Sequence, residues 1–272
     1  MTVSQTAPAP QTTLIGNSDG EFRGRRVLVI GGGGIGGQVC RDMAAAGARI
    51  YFTYHRNAAA AQLLADSLPA GSCAGFGTLD ASDDGAVRSL VQDAAREMGG
   101  LDTLIVTAGH RHELALFHEM PAASAADILA VELAGPMNAV RAVLPAMRAS
   151  GFGRIVLVGS DSGKTGSAGD AASSAARGGV IALAKSLARE TAVMDITVNV
   201  VCPGPTDTDL LTGMTSAQGL TGKVMNAIVR AVPKRRTGTV AEIARVIMFL
   251  AHKDSGFITG QAASVSGGLT MQ

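Results

Sequence analysis

Tryptophan is missing from this 272-residue chain, which carries only seven phenylalanines and two tyrosines. A platform for stacking single-stranded bases needs aromatic faces, so that class of binder is set aside. Charge of one sign is lacking too. The 23 basic and 22 acidic residues leave a net charge of +1, with no footprint for nucleic acid or an anionic membrane. The three cysteines, Cys40, Cys73 and Cys202, are odd in number and far apart. They give no disulfide framework and no metal-ligand spacing, and a reducing, cytoplasmic setting is expected. No metal is expected at His110, His112 and His118, because no carboxylate or cysteine completes a recognisable spacing. They read instead as residues at a pocket lip. No apolar run is long and uninterrupted enough to span a bilayer. The first 17 residues lack the cationic start and apolar stretch of a signal peptide, and residues 1–20 are expected to form a disordered tail. What the chain does have is 47% hydrophobic residues and 35 glycines, enough for one sizeable core over residues 21–272.

Short apolar runs alternate with Ala-rich amphipathic stretches. The runs are Arg26–Ile30, Arg49–Tyr54, Cys73–Leu79, Leu101–Thr107, Arg154–Gly159, Thr197–Cys202 and Ala262–Val265. Their nearly continuous apolar character fits strands buried on both faces. Helical periodicity covers Gly37–Ala46, Ala58–Ser67, Asp84–Met98, Ser124–Met147, Ala171–Thr191 and Val240–His252. Such alternation predicts an α/β Rossmann fold: a doubly wound parallel sheet of about seven strands with helices on both faces. Residues 203–233 interrupt it and are expected to form a small helical flap over a cleft.

The first run ends in Gly31-Gly32-Gly33-Gly34-Ile35-Gly36-Gly37, where Gly31, Gly33 and Gly36 satisfy G-x-G-x-x-G. Following a strand and opening a helix, such a loop brings backbone N–H groups of Gly34, Ile35 and their neighbours up to a pyrophosphate. The plain alternative is a tight turn. At the end of the second run an acidic residue would select NAD by binding the ribose hydroxyls. Here Tyr54-His55-Arg56-Asn57 stands instead. Arg56 suits a 2′-phosphate, so NADP(H) is expected over NAD(H). The alternative is an exposed surface arginine.

From Gly24 to Leu269 the chain resembles the short-chain dehydrogenase/reductase superfamily. The resemblance is carried by Leu79-Asp80, Thr107-Ala108-Gly109, Gly153-Arg154-Ile155-Val156-Leu157-Val158-Gly159-Ser160, Lys185-Ser186-Leu187-Ala188-Arg189-Glu190, Val198-Asn199-Val200-Val201-Cys202-Pro203-Gly204, Ile258-Thr259-Gly260-Gln261 and Val265-Ser266-Gly267-Gly268. It implies that Asp80 contacts the adenine, that Ala108 and Gly109 lie along the dinucleotide, and that the Pro203-Gly204 turn lies beside the nicotinamide. It also implies a small-molecule substrate, and a homo-oligomer (dimer or tetramer) built on the helices at 124–147 and 171–191.

The chain departs from the family at two places. The glycine loop is one residue shorter than the family's T-G-x-x-x-G-x-G, with Ile30 in place of its threonine. Of the family's catalytic set only Ser160 remains. Counting thirteen and then four residues onward from Ser160 replaces the tyrosine by Ser173 and the lysine by Arg177, and the family's asparagine falls at Glu132. A phenol tuned by a nearby cation is an effective proton donor. Neither a serine hydroxyl nor a guanidinium can copy it, since Arg stays protonated at any accessible pH. Three routes stay open. Hydride from NADP(H) can go to carbon of an activated C=C, as in enoyl thioester reduction, with Ser160 and Arg177 stabilising the enolate oxygen; a keto group needs another acid. Glu132 can serve as acid if burial raises its pKa, with His110, Asp161 and Lys164 in reserve. Or the scaffold houses a non-redox enzyme (isomerase, dehydratase or cyclase) or a silent subunit. Structural readings stand beside these: Arg177 in an ion pair with Glu132 or Asp170, and Ser173 as filler.

Overall fold

Every strand of the sheet runs parallel to its neighbours. A computed structural model describes residues 20–272, so the expected tail lies outside the described residues except for Gly20. The strands are β1 (Arg26–Ile30), β2 (Arg49–Tyr54), β3 (Cys73–Thr78), β4 (Thr103–Val106), β5 (Phe152–Val158), β6 (Asp195–Pro203) and β7 (Ala262–Val265). Their order is β3-β2-β1-β4-β5-β6-β7, as the alternation predicts. The order reverses direction between β1 and β4. In an open α/β sheet that switch point leaves a crevice at the carboxyl ends of the strands.

Helices cover both faces because the strands are apolar on both. On one face, α3 (Asp84–Met98), α5 (Gly135–Ser150) and α7 (Ala171–Thr191) bury Leu90, Val143 and Val180 against Leu28, Leu104 and Ile155. On the other, α1 (Gly34–Ala45) and α10 (Val240–Ala251) bury Met43 and Ile247 against Val29, Ile105 and Val156. Helix α2 (Ala58–Ser67) starts at Asn57, whose side chain accepts from Ala60 N–H. Such a cap satisfies an otherwise orphaned helix donor.

The single helix expected over 124–147 is three pieces. Helix α4 (Ala122–Leu129) passes through a π-helical turn (Ala130–Ala134) into α5. By length and composition the run Ala122–Ser150 is apolar enough to cross a bilayer, but here it packs on α3 and α7 as a core element. The expected flap comprises α8 (Asp209–Thr215) and α9 (Gly219–Ala231). A short α6 (Ser162–Thr165) links β5 to α7.

Candidate active site

The glycine loop lies at the switch point between β1 and β4. Gly31 has φ +102°, and a Cβ there would sit 2.7 Å from Thr107 Oγ1. Gly36 is packed harder: its Cβ would fall 1.8 Å from the Gly31 carbonyl oxygen. At Gly33, by contrast, nothing lies within 4 Å of where a side chain would begin. Two glycines therefore let the turn close, and the third keeps its outer surface open for a ligand. Gly33 is also the N-cap of α1 and provides no side chain to cap the helix, which leaves the first-turn donors and the positive end of the dipole directed at the opening. The loop, though one residue short, forms a cradle that fits a pyrophosphate.

The cleft above it measures about 920 Å³. Its floor is Gly31, Gly32 and Gly33. One wall is the β2 end with Phe52, Tyr54, His55, Arg56 and Asn57. Asp80 and Ser82 follow, then Gly109, His110 and Arg111 after β4. Arg56 is exposed and makes no ion pair among the described residues, so its charge is free for a ligand. Asp80 Oδ1 accepts from Ser82 N–H (2.9 Å) and Oγ–H (2.6 Å). These bonds, the Ser82 hydroxyl first, hold the Asp80 carboxyl below its ordinary pKa. The flap roofs the loop. Thr208 Cγ2 lies 3.5 Å from the Cβ position of Gly34, and Arg111 Nη1 lies 4.0 Å from that of Gly213 in α8.

The positions reached by counting from Ser160 meet in the structure. Ser173 and Arg177 lie one turn apart on the buried face of α7. The π-helical turn brings Glu132 to them at 3% exposure. Glu132 Oε2 accepts from Ser173 Oγ–H (2.7 Å) and Arg177 Nε–H (3.0 Å). Its Oε1 accepts from the His110 backbone N–H (2.9 Å) and lies 2.9 Å from Arg177 Nη2. Arg177 Nη1–H donates to the Val158 carbonyl at 2.8 Å. All three guanidinium nitrogens are thus engaged, two in a closed ion pair with Glu132 and one on a backbone carbonyl, the structural alternative for Arg177 raised from the sequence.

Glu132 departs from the sequence expectation for a physical reason. Burial pushes its carboxyl up and is the largest single influence. The Arg177 charge and the hydrogen bonds from Ser173, His110 and Arg177 together outweigh it and hold the pKa below the ordinary value. Glu132 is therefore an ionised acceptor near neutral pH, not a poised acid. Of the reserve residues, Lys164 Nζ–H groups donate to Ala262 O, Ser264 Oγ and Gln272 O. Asp161 is buried, and neither carboxylate oxygen has a partner among the described residues; the same is true of His110 Nδ1. Ser160 Oγ accepts from Ser162 N–H (3.2 Å) and Oγ–H (2.9 Å), which leaves its own proton for an oxygen in front of it. Gly204 packs on Ser266, and Asp161 N–H donates to Pro203 O, placing the Pro-Gly turn beside the Ser160 loop. Ala108 carries the backbone N–H that lies 3.0 Å from the Cβ position of Gly31, so it borders the glycine loop.

One pair had no sequence signal. His112 Nε2 lies 2.7 Å from Asp170 Oδ1, and its Nδ1 lies 3.1 Å from His110 O. Both ring nitrogens face acceptors, which favours the doubly protonated ring. The Asp170 hydrogen bond, opposed by burial, raises the His112 pKa above 6.5. The two residues are 58 apart in sequence, so only the fold reveals them.

A family model described as enoyl-(acyl carrier protein) reductase matches residues 30–270. Acetoacetyl-CoA reductase of Rhizobium meliloti (strain 1021) is 34% identical over 246 residues, 90% of this chain and 98% of that protein. The 3-oxoacyl-(acyl-carrier-protein) reductase of Escherichia coli (strain K12) is 34% identical over 252 residues, 92% of this chain and 99% of its own length. The solved structure of levodione reductase superposes with a TM-score of 0.84 at 25% identity, covering 91% of this chain and 98% of that one.

Proposed function

Because this chain belongs to the short-chain dehydrogenase/reductase superfamily, we propose that it is an NADP(H)-dependent oxidoreductase with a rebuilt catalytic centre. Its substrate is an enoyl or keto group on an acyl thioester or similar small molecule. The observation that carries this reading is the glycine-floored cleft bordered by Arg56, which makes no ion pair among the described residues. Arg56 binds the 2′-phosphate, Gly31, Gly33, Gly34, Ile35 and Gly36 form the pyrophosphate cradle, and Asp80 receives the adenine. Ala108, Gly109, Pro203 and Gly204 border the remainder.

NADPH, when bound, supplies a hydride. The chain supplies one hydroxyl hydrogen bond, donated by Ser160 O–H to a substrate carbonyl oxygen. Glu132, Ser173 and Arg177 fix the wall of the site and deliver no proton of their own. A ketone needs full protonation of its oxygen and is poorly served by this set. An enoyl thioester needs its oxygen only stabilised while water protonates carbon, and is served better. Three buried or half-buried cysteines without disulfides fit a cytoplasmic protein. Leu129 and Met137, exposed along the α4–α5 run, fit a homo-oligomer.

A second reading is favoured by the closed Glu132–Arg177 pair: a non-redox enzyme or silent subunit on the same scaffold. Titration with NADPH and NADH by fluorescence, then loss of NADPH absorbance with crotonyl-CoA and acetoacetyl-CoA, separates the two. The expected outcome is NADPH binding with faster oxidation by crotonyl-CoA. Binding without oxidation by either thioester transfers the case to the second reading.

A further inference from the structure

We infer that the cleft grips the 2′-phosphoadenosine diphosphate half of the dinucleotide and leaves the nicotinamide half without a charged anchor from α7, so that ligands ending at the diphosphate bind nearly as well as NADPH. The inference rests on the NADP(H) reading above and goes beyond it by dividing the ligand in two.

The adenosine half finds a complete set of partners. Arg56 is exposed and unpaired among the described residues, Gly33 is open, and Asp80 is held in place by Ser82. Past the diphosphate, α7 offers no free charge. The cleft continues along Gly109, His110, Arg111, Asp127, Ala130 and Val131, and neither Ser160 nor Arg177 lines it. Arg177 occupies the position from which a family lysine would reach the sugar next to the nicotinamide, but its charge is spent. It pairs with Glu132 through Nε and Nη2 and with Val158 O through Nη1, and its side chain is 10% exposed. Turning it outward would leave Glu132 buried at 3% exposure with an uncompensated charge, a costly change. A serine hydroxyl at 173 is likewise given to Glu132. A charge-assisted hydrogen bond is worth about tenfold or more in affinity, and this half of the ligand forgoes it.

The test is calorimetric titration of the intact chain with NADPH, with 2′-phospho-ADP (the 2′-phosphate, adenosine and 5′-diphosphate alone) and with reduced nicotinamide mononucleotide. The expected result is a Kd for 2′-phospho-ADP within about tenfold of that for NADPH, with no heat from the mononucleotide. Arg56→Ala weakens both adenine ligands by the same factor. NADPH binding tighter than 2′-phospho-ADP by more than that margin overturns the inference while the NADP(H) reading stands; it is the result expected if the exposed Arg111 replaces the lost anchor. An Arg56→Ala protein that binds both adenine ligands as before overturns it as well. If neither adenine ligand binds the unsubstituted chain, the NADP(H) reading falls and the inference falls with it. Saturation-transfer NMR on bound NADPH reads the same question directly: adenine protons are expected to be saturated more strongly than nicotinamide protons, and equal or reversed saturation refutes the division.

Discussion

Replacing Arg177 by alanine strands the Glu132 carboxylate among Ser173, the His110 backbone and the core of α7. Breaking a buried ion pair from one side costs about 3–5 kcal/mol, so Arg177→Ala is expected to lower the urea midpoint steeply, and an unchanged midpoint refutes the closed pair. Two other groups give opposite pH signatures. Glu132 has a lowered pKa in the fold. Its stabilising contribution is present above the ordinary carboxylate value of 4.5 and is lost as pH falls through the lowered one. His112 has a raised pKa. Its contribution is full below 6.5 and is lost as pH rises through the raised value. His112→Gln is therefore expected to destabilise the chain under mildly acidic conditions and to become neutral at alkaline pH. Denaturation at both ends of that range checks it; an equal loss at both pH values rejects the imidazolium–carboxylate pair.

The π-helical turn in the long central helix explains why the site was half legible. Helical periodicity runs unbroken through Ser124–Met147, and one extra residue per turn leaves no mark on an apolar pattern. Counting from Ser160 points to Ser173 and Arg177, and these share the buried face of the regular helix α7 (Ala171–Thr191). That Glu132 meets them depends on the turn, and its ionisation depends on neighbours 22 to 45 positions away. Strand interiors were legible, but several ends were not. Thr107 continues the apolar run of β4, yet its hydroxyl leaves the ladder to donate to Gly31 O at 2.6 Å. The flap shows a contact of the same hidden kind: Leu114 N–H donates to Thr221 Oγ1 of α9 at 2.9 Å, in a buried position. Thr221→Ala leaves that donor without its partner. Local opening of α9 and of the 110–115 loop is then expected to rise by roughly tenfold or more. Hydrogen exchange resolved by peptide measures this, and unaltered protection in 219–231 shows that the flap is held elsewhere.

For the molecule as a whole, ligand binding and folding are linked. A ligand at a hundredfold excess over its Kd stabilises the native state by about 2.7 kcal/mol. For a chain of this size that is a Tm rise of about 5–10 °C. NADPH is expected to produce it, and NADH at the same concentration a much smaller one, because the switch-point crevice carries Arg56 and no acidic residue at the β2 end. Equal shifts from the two reductants argue that Arg56 is only a surface charge.

The interlocked trio on α7 and the π-helical turn also constrains how this centre changes by mutation. Installing a tyrosine at 173 removes a donor from a carboxylate that still needs it, and converting Glu132 to asparagine leaves a buried guanidinium without its counter-charge. A lysine at 177 forfeits the hold on Val158. Each one-step path toward a phenol–ammonium arrangement is thus expected to descend in stability. The three positions are expected to be epistatic, each tolerating exchange only together with the others.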